Sequence, residues 1–457
     1  MSASTLQRAQ SVDRFGRSWE GKRVTVVGLG RSGQAAAALL CQVGARVRVT
    51  EFTESTALKE IQSGLLAQGA VAVELGGHHR ASIDTAEIVV VSPGISENAE
   101  PLLWARARSI PIISEIELAY HFCPSPIVGV TGTNGKSSVV TMIARVLQSA
   151  RRHAVACGNL GVPFSSVLSQ LTPESVAVVE LSSFQLIGCY RFRPTVAVLL
   201  NIGTNHLDRH TTTNSYLSAK ARIFQSQTAD DWAVINGTQP MLQLIAAALP
   251  SRKLFFGTDA GNNPSCSLSP QTLSALSPGC QAVLQAARAL GIPDPLTHQV
   301  IRESRGLEHR MEFVDAVRGV RFINDSKSTT PDSLVFALTR VRGPVVVIAG
   351  GRDKGMDFAP LAGALASSHV RGVILIGESR NKLRPIVESA ASSERAVHEA
   401  ATLDEAVRAA ARLSGPGDTV LFSPACASFD MFRNFEERGR AFKGCVRSLA
   451  RESEASA

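Results

Sequence analysis

The feature that most constrains this fold is a glycine-containing turn between an apolar strand and a helical stretch. The strand is the run 127–130, the turn that follows reads Thr-Gly-Thr-Asn-Gly-Lys-Ser, and the helical pattern covers 139–148. Such glycines let the backbone curl until its N–H groups point at a phosphate chain, and the helix N-terminus adds positive potential. Lys136 can reach the β- and γ-phosphates, and the Ser137 hydroxyl can hold Mg²⁺. The pattern therefore predicts a nucleoside triphosphate site.

Strand-like and helical runs alternate along the whole chain, which indicates parallel, right-handed α/β sheets. We expect three α/β domains: a Rossmann-like domain over 1–123, a central P-loop ATPase-like domain over 124–306 and a C-terminal Rossmann-like domain over 307–457. The segment 238–278 looks less regular and has weak strand signals.

Composition excludes several classes of protein. A chain of 457 residues with 44% hydrophobic and 19% charged residues fits a globular protein of several domains. No run of about 18 apolar residues is present, so we expect no membrane span. The eight cysteines include no C-x-x-C pair, which argues against a zinc site and a disulfide framework and favours a cytoplasmic location. The net charge of +8 suits small polyanions rather than nucleic acid, because no Lys/Arg run appears. The polar segment 1–20 is predicted to be a loose extension.

A second glycine turn follows the first strand. It reads Gly28-Leu29-Gly30-Arg31-Ser32-Gly33, and Glu51 comes 18 residues after Gly33. This spacing fits the dinucleotide fingerprint, in which a diphosphate lies on a helix N-terminus. Taken alone it suggests a NAD(P)-binding oxidoreductase, which stays open as an alternative. Glycines that serve only tight strand–helix packing are the other alternative.

Three ionisable residues follow strands of the central domain. Glu180 ends an apolar strand at the edge where ligands of open α/β sheets collect, so its carboxylate is well placed for Mg²⁺. His206 follows the end of the next strand. Lys220 lies in a helical stretch, and chemistry alone gives no reason to prefer it to a surface lysine. A solvated strand end and a structural histidine are the plain alternatives.

In order and spacing, these motifs resemble the Mur ligase family. The stretches that carry the resemblance are 132–137, Glu180-Leu181-Ser182-Ser183, Asn205-His206-Leu207-Asp208 and Lys220. The resemblance implies that the loop binds ATP, that Glu180 and His206 bind Mg²⁺, and that Lys220 carries a carbamate, a ligand of a second Mg²⁺. Asn159 matches a position that contacts the substrate. The implied ATP-binding residues of the loop are Gly132, Thr133, Asn134, Gly135, Lys136, Ser137 and Ser138.

The third domain carries motifs that resemble those of the D-glutamate-adding members of the family. The stretch 306–312 resembles a linker whose arginine, here Arg310, reaches the ATP phosphates. The stretch 324–329 resembles a segment whose aspartate, here Asp325, holds the nucleotide ribose, and Lys327 is assigned to ATP with it. The implied residues around D-glutamate are Thr329, Lys354, Ser428 and Phe435. The implied residues around the UDP part of the other substrate are Arg31, Ser32, Thr53, Ser92, Pro93 and Gly94.

The resemblance implies an ATP-dependent ligase that joins D-glutamate to UDP-N-acetylmuramoyl-L-alanine through an acyl phosphate, with two Mg²⁺ ions, in peptidoglycan precursor synthesis. The implied catalytic residues are Lys136, His206, Lys220 and Arg310. We expect a monomer.

One departure keeps another alternative open. The helix 281–290 and the residues before it lack the Gly-x-His-Asn-x-x-Asn motif that the family normally carries there, whose final Asn contacts adenine. A degenerate homologue with weakened ATP binding is therefore an alternative beside the oxidoreductase. A folate-polyglutamating relative shares the phosphate loop but should lack the first, UDP-type domain.

Overall fold

The computed structural model describes residues 11–203, 212–257, 269–304, 308–353, 355–367, 369–390 and 396–455. The chain forms two compact units, Met1–Glu303 and Ser304–Ala457. Two sheets lie in the first unit and one lies in the second. The predicted fold of three α/β domains is confirmed, while the residue limits given above for those domains stay a prediction.

The first sheet has five parallel strands in the order β3-β2-β1-β4-β5. Its strands are β1 (Arg23–Val27), β2 (Arg46–Thr50), β3 (Ala72–Glu74), β4 (Ile88–Val91) and β5 (Ile112–Ser114). Its helices are α1 (Arg31–Gln42), α2 (Thr56–Ala67), α3 (Arg80–Asp84), α4 (Glu100–Ala107) and α5 (Glu115–Phe122). Because β2 and β4 lie on opposite sides of β1, the strand order reverses at β1, and open α/β sheets bind ligands at such a point.

The central sheet has six parallel strands in the order β11-β10-β9-β6-β8-β7. The strands are β6 (Ile127–Thr131), β7 (Ala154–Gly158), β8 (Val176–Glu180), β9 (Val196–Leu199), β10 (Trp232–Asn236) and β11 (Arg252–Phe256). The helices are α6 (Lys136–Ser149), α7 (Ser183–Ile187), α8 (Thr213–Ala221), α9 (Pro240–Ala248), α10 (Pro270–Ala275), α11 (Pro278–Ala289) and α12 (Asp294–Glu303), with 3-10 turns at Phe164–Gln170 and Arg222–Phe224. The loop after β6 therefore lies between the ends of β8 and β9. The expectation of an irregular segment at 238–278 is wrong where α9, β11 and α10 form.

The third sheet has the order β12-β13-β17-β14-β15-β16, and only β12 is antiparallel to its neighbour. The strands are β12 (Glu312–Val317), β13 (Val320–Asn324), β14 (Val345–Gly350), β15 (Val370–Ile376), β16 (Ala396–Glu399) and β17 (Thr419–Phe422). The helices are α13 (Pro331–Leu338), α14 (Pro360–Leu365), α15 (Arg380–Ala390), α16 (Leu403–Leu413) and α17 (Phe435–Ala455). Two buried apolar clusters form the core of this unit, so its strands read as nearly continuous apolar runs.

The segment 11–20 is packed against the first unit, so the prediction of a loose extension is wrong there. Asp13 is 4% exposed and Trp19 is 2% exposed. One oxygen of the Asp13 carboxylate accepts the N–H groups of Phe15 and Arg17, and the other accepts the Trp19 indole N–H at 3.1 Å. That second oxygen also lies 2.7 Å from Nδ1 of His121 on α5. A single buried carboxylate thus organises the whole segment.

Within the described part of the chain, no helix is both long enough and apolar enough to cross a lipid bilayer.

Glu115, at the start of α5, carries a buried carboxyl group. Its Oε1 accepts the N–H of Ser165, in the 3-10 turn Phe164–Gln170, at 2.6 Å. Its Oε2 is buried and has no hydrogen-bond partner among the residues that the structure describes. Burial raises the pKa of Glu115 to about 6, although hydrogen bonds from Ser165 oppose the rise.

We expect Glu115→Gln to stabilise the protein at about pH 7.5 and to have no such effect below about pH 4.5. A carboxyl group whose pKa is about 6 when folded and 4.5 when unfolded binds more protons in the folded state between these values. Its contribution to stability is therefore complete below about pH 4.5 and is lost as the pH rises through about 6, a cost of about 2 kcal/mol. Glutamine keeps the acceptor for Ser165 and removes the charge. Melting temperatures across pH test this, with the exposed Glu60→Gln as control, and a gain that does not depend on pH would contradict it.

Candidate active site

The loop after β6 turns into helix α6 through glycines at positive φ. The φ angle is 149° at Gly132 and 86° at Gly135. A Cβ on Gly132 would lie 2.9 Å from the Cβ of Leu200, so this approach to β9 requires glycine. Helix α6 begins at Lys136 with no side-chain cap and no acidic residue in its first turn. The helix dipole at this end therefore favours a bound anion.

Asn201, at the end of β9, anchors the loop, and no sequence pattern indicated that it would have a functional role. Its carbonyl accepts the N–H of Thr133 at 2.9 Å, and its side-chain oxygen accepts the N–H of Asn134 at 2.9 Å. Its Nδ2 donates to the Asn134 carbonyl at 3.1 Å. The Thr133 hydroxyl in turn accepts the N–H of Gly203. The loop is thus shaped by the neighbouring strand before any phosphate is bound.

Two lysines meet at one carbonyl of this loop. Nζ of Lys136 donates to the carbonyls of Gly132 and Thr133, each at 2.9 Å. Nζ of Lys220, from α8, donates to the same Gly132 carbonyl at 2.9 Å. The structure therefore places the predicted phosphate lysine and the predicted carbamate lysine together. Of the adjacent hydroxyls, Ser137 is 2% exposed and Ser138 is half-buried.

Lys220 has surroundings that favour an uncharged amine. It is 1% exposed, and Nζ lies 4.6 Å from the centroid of the Tyr216 ring. Burial, helped by the positive charge of Lys136, holds the pKa of Lys220 well below its ordinary value, although Glu180 opposes the shift. An uncharged amine is the form that can react with CO₂, because the ammonium ion has no lone pair to donate. The geometry therefore suits the carbamate that the resemblance implies.

Glu180, at the end of β8, offers a carboxylate oxygen to a cation. The residue is 3% exposed, and its Oε1 accepts a hydrogen bond from Nδ2 of Asn159 at 3.0 Å. Its Oε2 is buried and has no hydrogen-bond partner within the described ranges. A buried carboxylate oxygen without a partner is costly, and a hard divalent cation would satisfy it. The donor set fits Mg²⁺ on this observation. His206, predicted to share the metal, lies outside the described residues.

The glycine turn 28–33 is packed closely against the end of β4. Gly28 has a φ of 91°, and a Cβ on Gly33 would lie 1.9 Å from the Gly28 carbonyl oxygen. The Ser92 hydroxyl donates to that same oxygen at 2.9 Å, and Ser92, Pro93 and Gly94 form the turn beside it. Helix α1 begins without a side-chain cap, at the exposed Arg31 and the half-buried Ser32. This end of α1 can hold a diphosphate.

The Glu51 carboxylate accepts hydrogen bonds from the turn itself and from Thr53. Its Oε2 accepts the N–H of Leu29 at 2.7 Å, and its Oε1 accepts the N–H and the hydroxyl of Thr53 at 3.0 Å each. Burial alone would raise the pKa of Glu51, but these hydrogen bonds hold it below its ordinary value. Because both oxygens are engaged locally, the arrangement gives no support to a ribose-binding acid of the NAD(P) type.

Two of the predicted substrate-binding loops adjoin each other. A Cβ on Gly161, in the loop of Asn159, would lie 3.2 Å from Nη1 of Arg31 on α1. Asn159 itself contacts Glu180 through both its backbone and its side chain. The glycine turn 28–33 is therefore connected to the metal-side carboxylate through a single short loop.

In the unit Ser304–Ala457, Asp325 ties three segments together. Its Oδ1 accepts the N–H of Met311 at 3.1 Å, and its Oδ2 accepts the hydroxyl of Ser423, after β17, at 2.9 Å. Burial raises the pKa of Asp325 to about 6, although these hydrogen bonds and Arg310 oppose the rise. The linker that carries Arg310 is thereby fixed to the ends of β13 and β17.

Arg438 braces the loops that carry the predicted amino-acid residues. It is 1% exposed and donates to the carbonyls of Ser326 and Cys426 at 2.8 and 3.0 Å. Burial lowers the pKa of Arg438 to about 10. Ser326 also donates its hydroxyl to the carbonyl of Phe435, and Nζ of Lys327 lies 5.4 Å from the Phe435 ring centroid. The half-buried Thr329 and the buried Ser428 lie on these two braced loops, whereas Lys354 lies outside the described residues.

Three family models match the chain in succession. They are the Mur ligase MurD-like N-terminal domain over residues 22–114, the Mur ligase middle domain over 130–277 and the Mur ligase glutamate ligase domain over 309–426. Among solved structures, MurF ligase from Thermotoga maritima in complex with ADP is 17% identical with a TM-score of 0.58, over 90% of this chain and 96% of that one. MurC from the same organism is 16% identical with a TM-score of 0.55, over 93% and 99%. At these identities the likeness concerns the fold alone.

Curated relatives match over nearly the full length. The UDP-N-acetylmuramoylalanine–D-glutamate ligase of Geotalea uraniireducens is 40% identical over 448 residues, which cover 94% of this chain and 98% of the relative. The protein of the same name from Chlorobaculum parvum is 40% identical over 468 residues, with the same coverage. The phosphate loop, the buried acid and lysine beside it, and the matches to all three domains agree, and the chain belongs to the Mur ligase family.

Proposed function

We propose that this protein is an ATP-dependent ligase that adds D-glutamate to UDP-N-acetylmuramoyl-L-alanine through an acyl phosphate. The observation that carries the proposal is the meeting of Lys136, Glu180 and Lys220 at one edge of the central sheet, beside the N-terminus of α6. The relatives named above act on these substrates by name, and they match 94% of this chain.

The chemistry explains why cationic groups gather there. A carboxylate is a poor electrophile, and phosphoryl transfer from ATP gives it a good leaving group. Transfer brings together two anions, and two unit charges about 4 Å apart repel by about 4 kcal/mol at an effective dielectric constant of about 20. Lys136 and the dipole of α6 offset this repulsion and stabilise the charge that spreads over the phosphoryl oxygens. In this proposal Nζ of Lys136 leaves the loop carbonyls to contact the β- and γ-phosphates.

The metal ligands in this proposal are Ser137, Glu180, His206 and the carbamate of Lys220. Mg²⁺ held there would neutralise phosphoryl oxygens as a Lewis acid. The chain's own part is to keep the Glu180 carboxylate oriented through Asn159 and to keep the Lys220 amine uncharged for reaction with CO₂. Tyr216 and the Gly132 carbonyl hold that amine in place.

The UDP part is assigned to the N-terminus of α1, with Arg31, Ser32, Thr53 and the turn 92–94. A cavity of about 470 Å³ opens beside this turn. Its walls include Ser92 and Pro93 on one side and Phe184 and Gln185, on α7, on the other. Because α7 begins three residues after Glu180, this cavity supports a path for the substrate from the diphosphate site toward the phosphate loop.

D-Glutamate is assigned to Thr329, Lys354, Ser428 and Phe435, and the linker-side contacts of ATP to Arg310, Asp325 and Lys327. Lys354 would neutralise a carboxylate, and the two hydroxyls would donate to carboxylate oxygens, since unpaired buried anions are costly. The bracing by Arg438 keeps these hydroxyl-bearing loops in fixed positions.

A phosphate-release assay tests the function. We expect phosphate from ATP only when UDP-N-acetylmuramoyl-L-alanine and D-glutamate are both present, and we expect L-glutamate to support less than about a hundredth of that rate. Equal use of both enantiomers would contradict the assigned amino acid. Absence of ADP formation, together with intact binding of the UDP substrate, would instead favour a degenerate homologue. That alternative rests on the missing Gly-x-His-Asn-x-x-Asn motif at α11. There the Gln281 side chain accepts the N–H of Gly257 and donates to the carbonyls of Leu273 and Leu276.

A further inference from the structure

The segment 11–20 and the loop after α7 place a set of arginine and aromatic side chains on the surface of the first unit. The members are Arg14, Phe15, Arg17, Tyr190 and Arg191, all of them exposed. We call this set the arginine–aromatic patch. Of this set, Tyr190 also lines the cavity beside the turn 92–94. The three arginines and Phe15 are not among the residues assigned to the site described above.

The three arginines of the patch differ from nearby Arg193 in their ion pairing. Among the described residues none of their side chains forms an ion pair, whereas nearby Arg193 binds Asp231 at 2.7 Å. Surfaces ordinarily intersperse both signs of charge, so three unpaired arginines beside exposed rings form a local positive field. The first ten residues of the chain contain no Asp or Glu that could neutralise it.

Cation–π contacts hold two of the three guanidinium groups in place. The Arg14 guanidinium lies 4.3 Å from the centroid of the Tyr120 ring, and that of Arg191 lies 4.9 Å from the centroid of the Phe15 ring. A guanidinium whose face is covered by a ring still presents its N–H edge, and this planar fork matches a carboxylate. Less side-chain entropy is lost on binding when the fork is already held.

The backbone under the patch is held by buried carboxylates. Asp13 organises 13–19, as described above, and the N–H of Arg14 donates to the carbonyl of His121. Glu117, 1% exposed, accepts the N–H groups of Tyr190, Arg191 and Phe192 at 2.8 to 3.1 Å. His121, on α5, lies between these two carboxylates: its Nδ1 is 2.7 Å from Asp13 and its Nε2 is 3.7 Å from Glu117. The two halves of the patch are thus fixed to one helix.

We propose that the arginine–aromatic patch is a docking surface for an acidic segment of a partner protein, one that carries carboxylates together with an apolar side chain. Charge complementarity requires an anionic partner, and arginine with exposed rings is the composition of protein interface hot spots. Attachment to an anionic membrane would be served better by mobile lysines than by stacked, fixed guanidinium groups. The proposal does not depend on the ligase activity.

The test uses the full chain and a short fluorescein-labelled peptide rich in glutamate with one phenylalanine and one leucine. Fluorescence anisotropy should show binding that weakens with salt and weakens about tenfold or more in the double variant Arg14→Glu, Arg191→Glu. Arg252→Glu is the matched control, because the exposed Arg252 is not a member of the patch and its guanidinium likewise lies over a ring, 5.3 Å from the centroid of the half-buried Trp232. It should change affinity less than about twofold, and phosphate release should be unchanged in all of these variants.

A second variant separates the loss of positive charge from misfolding of the double variant. Arg17→Glu changes an arginine of the patch whose guanidinium lies over no described ring. This variant should also bind the peptide more weakly. Equal binding of the glutamine counterpart of the peptide, unchanged affinity in the Arg14 and Arg191 double variant, or no binding by the unmodified protein would each overturn the proposal. Binding to phosphatidylglycerol vesicles without binding to the peptide would overturn it in favour of a membrane surface.

Discussion

Replacement of Lys136 by alanine should lower kcat for ADP formation by about a hundredfold to a thousandfold, the usual cost of removing one preorganised charge from a phosphoryl-transfer site. Lys136 begins helix α6, and its amine donates to the carbonyls of Gly132 and Thr133 in the loop, at 2.9 Å each. Because this amine lies beside the N-terminus of α6, where the phosphates are assigned, its removal should affect transfer more than folding. The measurement is phosphate release with ATP, UDP-N-acetylmuramoyl-L-alanine and D-glutamate at saturation.

The control for this experiment is Lys253→Ala. Lys253 lies exposed on β11 and likewise donates to a main-chain carbonyl, that of Leu249 at 2.7 Å. Its turnover should stay within about twofold of the unmodified protein. Calorimetry should show that the Lys136→Ala variant still binds the UDP substrate, because that site is assigned to α1. Turnover near the normal level in Lys136→Ala would remove this lysine from the mechanism.

How far the sequence predicts this site depends on how local its signals are. The turn with Gly135 and Lys136 is predictable, because strand, glycines and helix are adjacent in the chain and each imposes its own backbone conformation. Asn201 is not predictable in this way. It shapes the loop from 67 residues away, through hydrogen bonds that exist only once β9 lies beside β6.

The fold shows the same division between local and long-range causes. The central strands are read as apolar runs because both of their faces are buried. β11 gives a weak signal because it lies at the sheet edge and exposes Arg252, Lys253 and Phe255, which is why the segment around it looked irregular. The segment 11–20 has no periodicity at all, and it is ordered by Asp13 through a contact with His121, 108 residues away.

The buried lysine is the clearest case in which chemistry follows from the tertiary structure. Helix α8 has almost no amphipathic pattern, so its sequence does not reveal which side is buried. Only the packing of α8 against the phosphate loop makes Lys220 1% exposed and brings it to the Gly132 carbonyl. Family resemblance selects this residue, and the structure supplies the physical reason why its amine differs from those on the surface.

Lys220→Met should lower turnover by about a hundredfold or more and should raise the melting temperature. Methionine keeps an unbranched apolar stem against Tyr216 and removes an amine whose burial disfavours its charge. The Gly132 carbonyl keeps Lys136 as a donor, so no acceptor is left unsatisfied. A gain of about 1 kcal/mol would raise the melting temperature by about 2–4 °C. Gln227→Ala, which removes another buried donor in the same unit, should instead lower it.

If Lys220→Met raises stability and lowers turnover, the two effects distinguish a chemical role of Lys220 from a structural one. If Lys220 only supported packing, its loss would lower both quantities together, as in the Gln227→Ala variant. A carbamate also predicts a dependence on CO₂: turnover should fall in degassed buffer and return with bicarbonate. Carbon-13 bicarbonate should give the unmodified protein a carbamate signal in the NMR spectrum that Lys220→Met lacks. Full turnover in that variant would show that the amine of Lys220 is not needed, and the second metal ligand would then have to come from another residue.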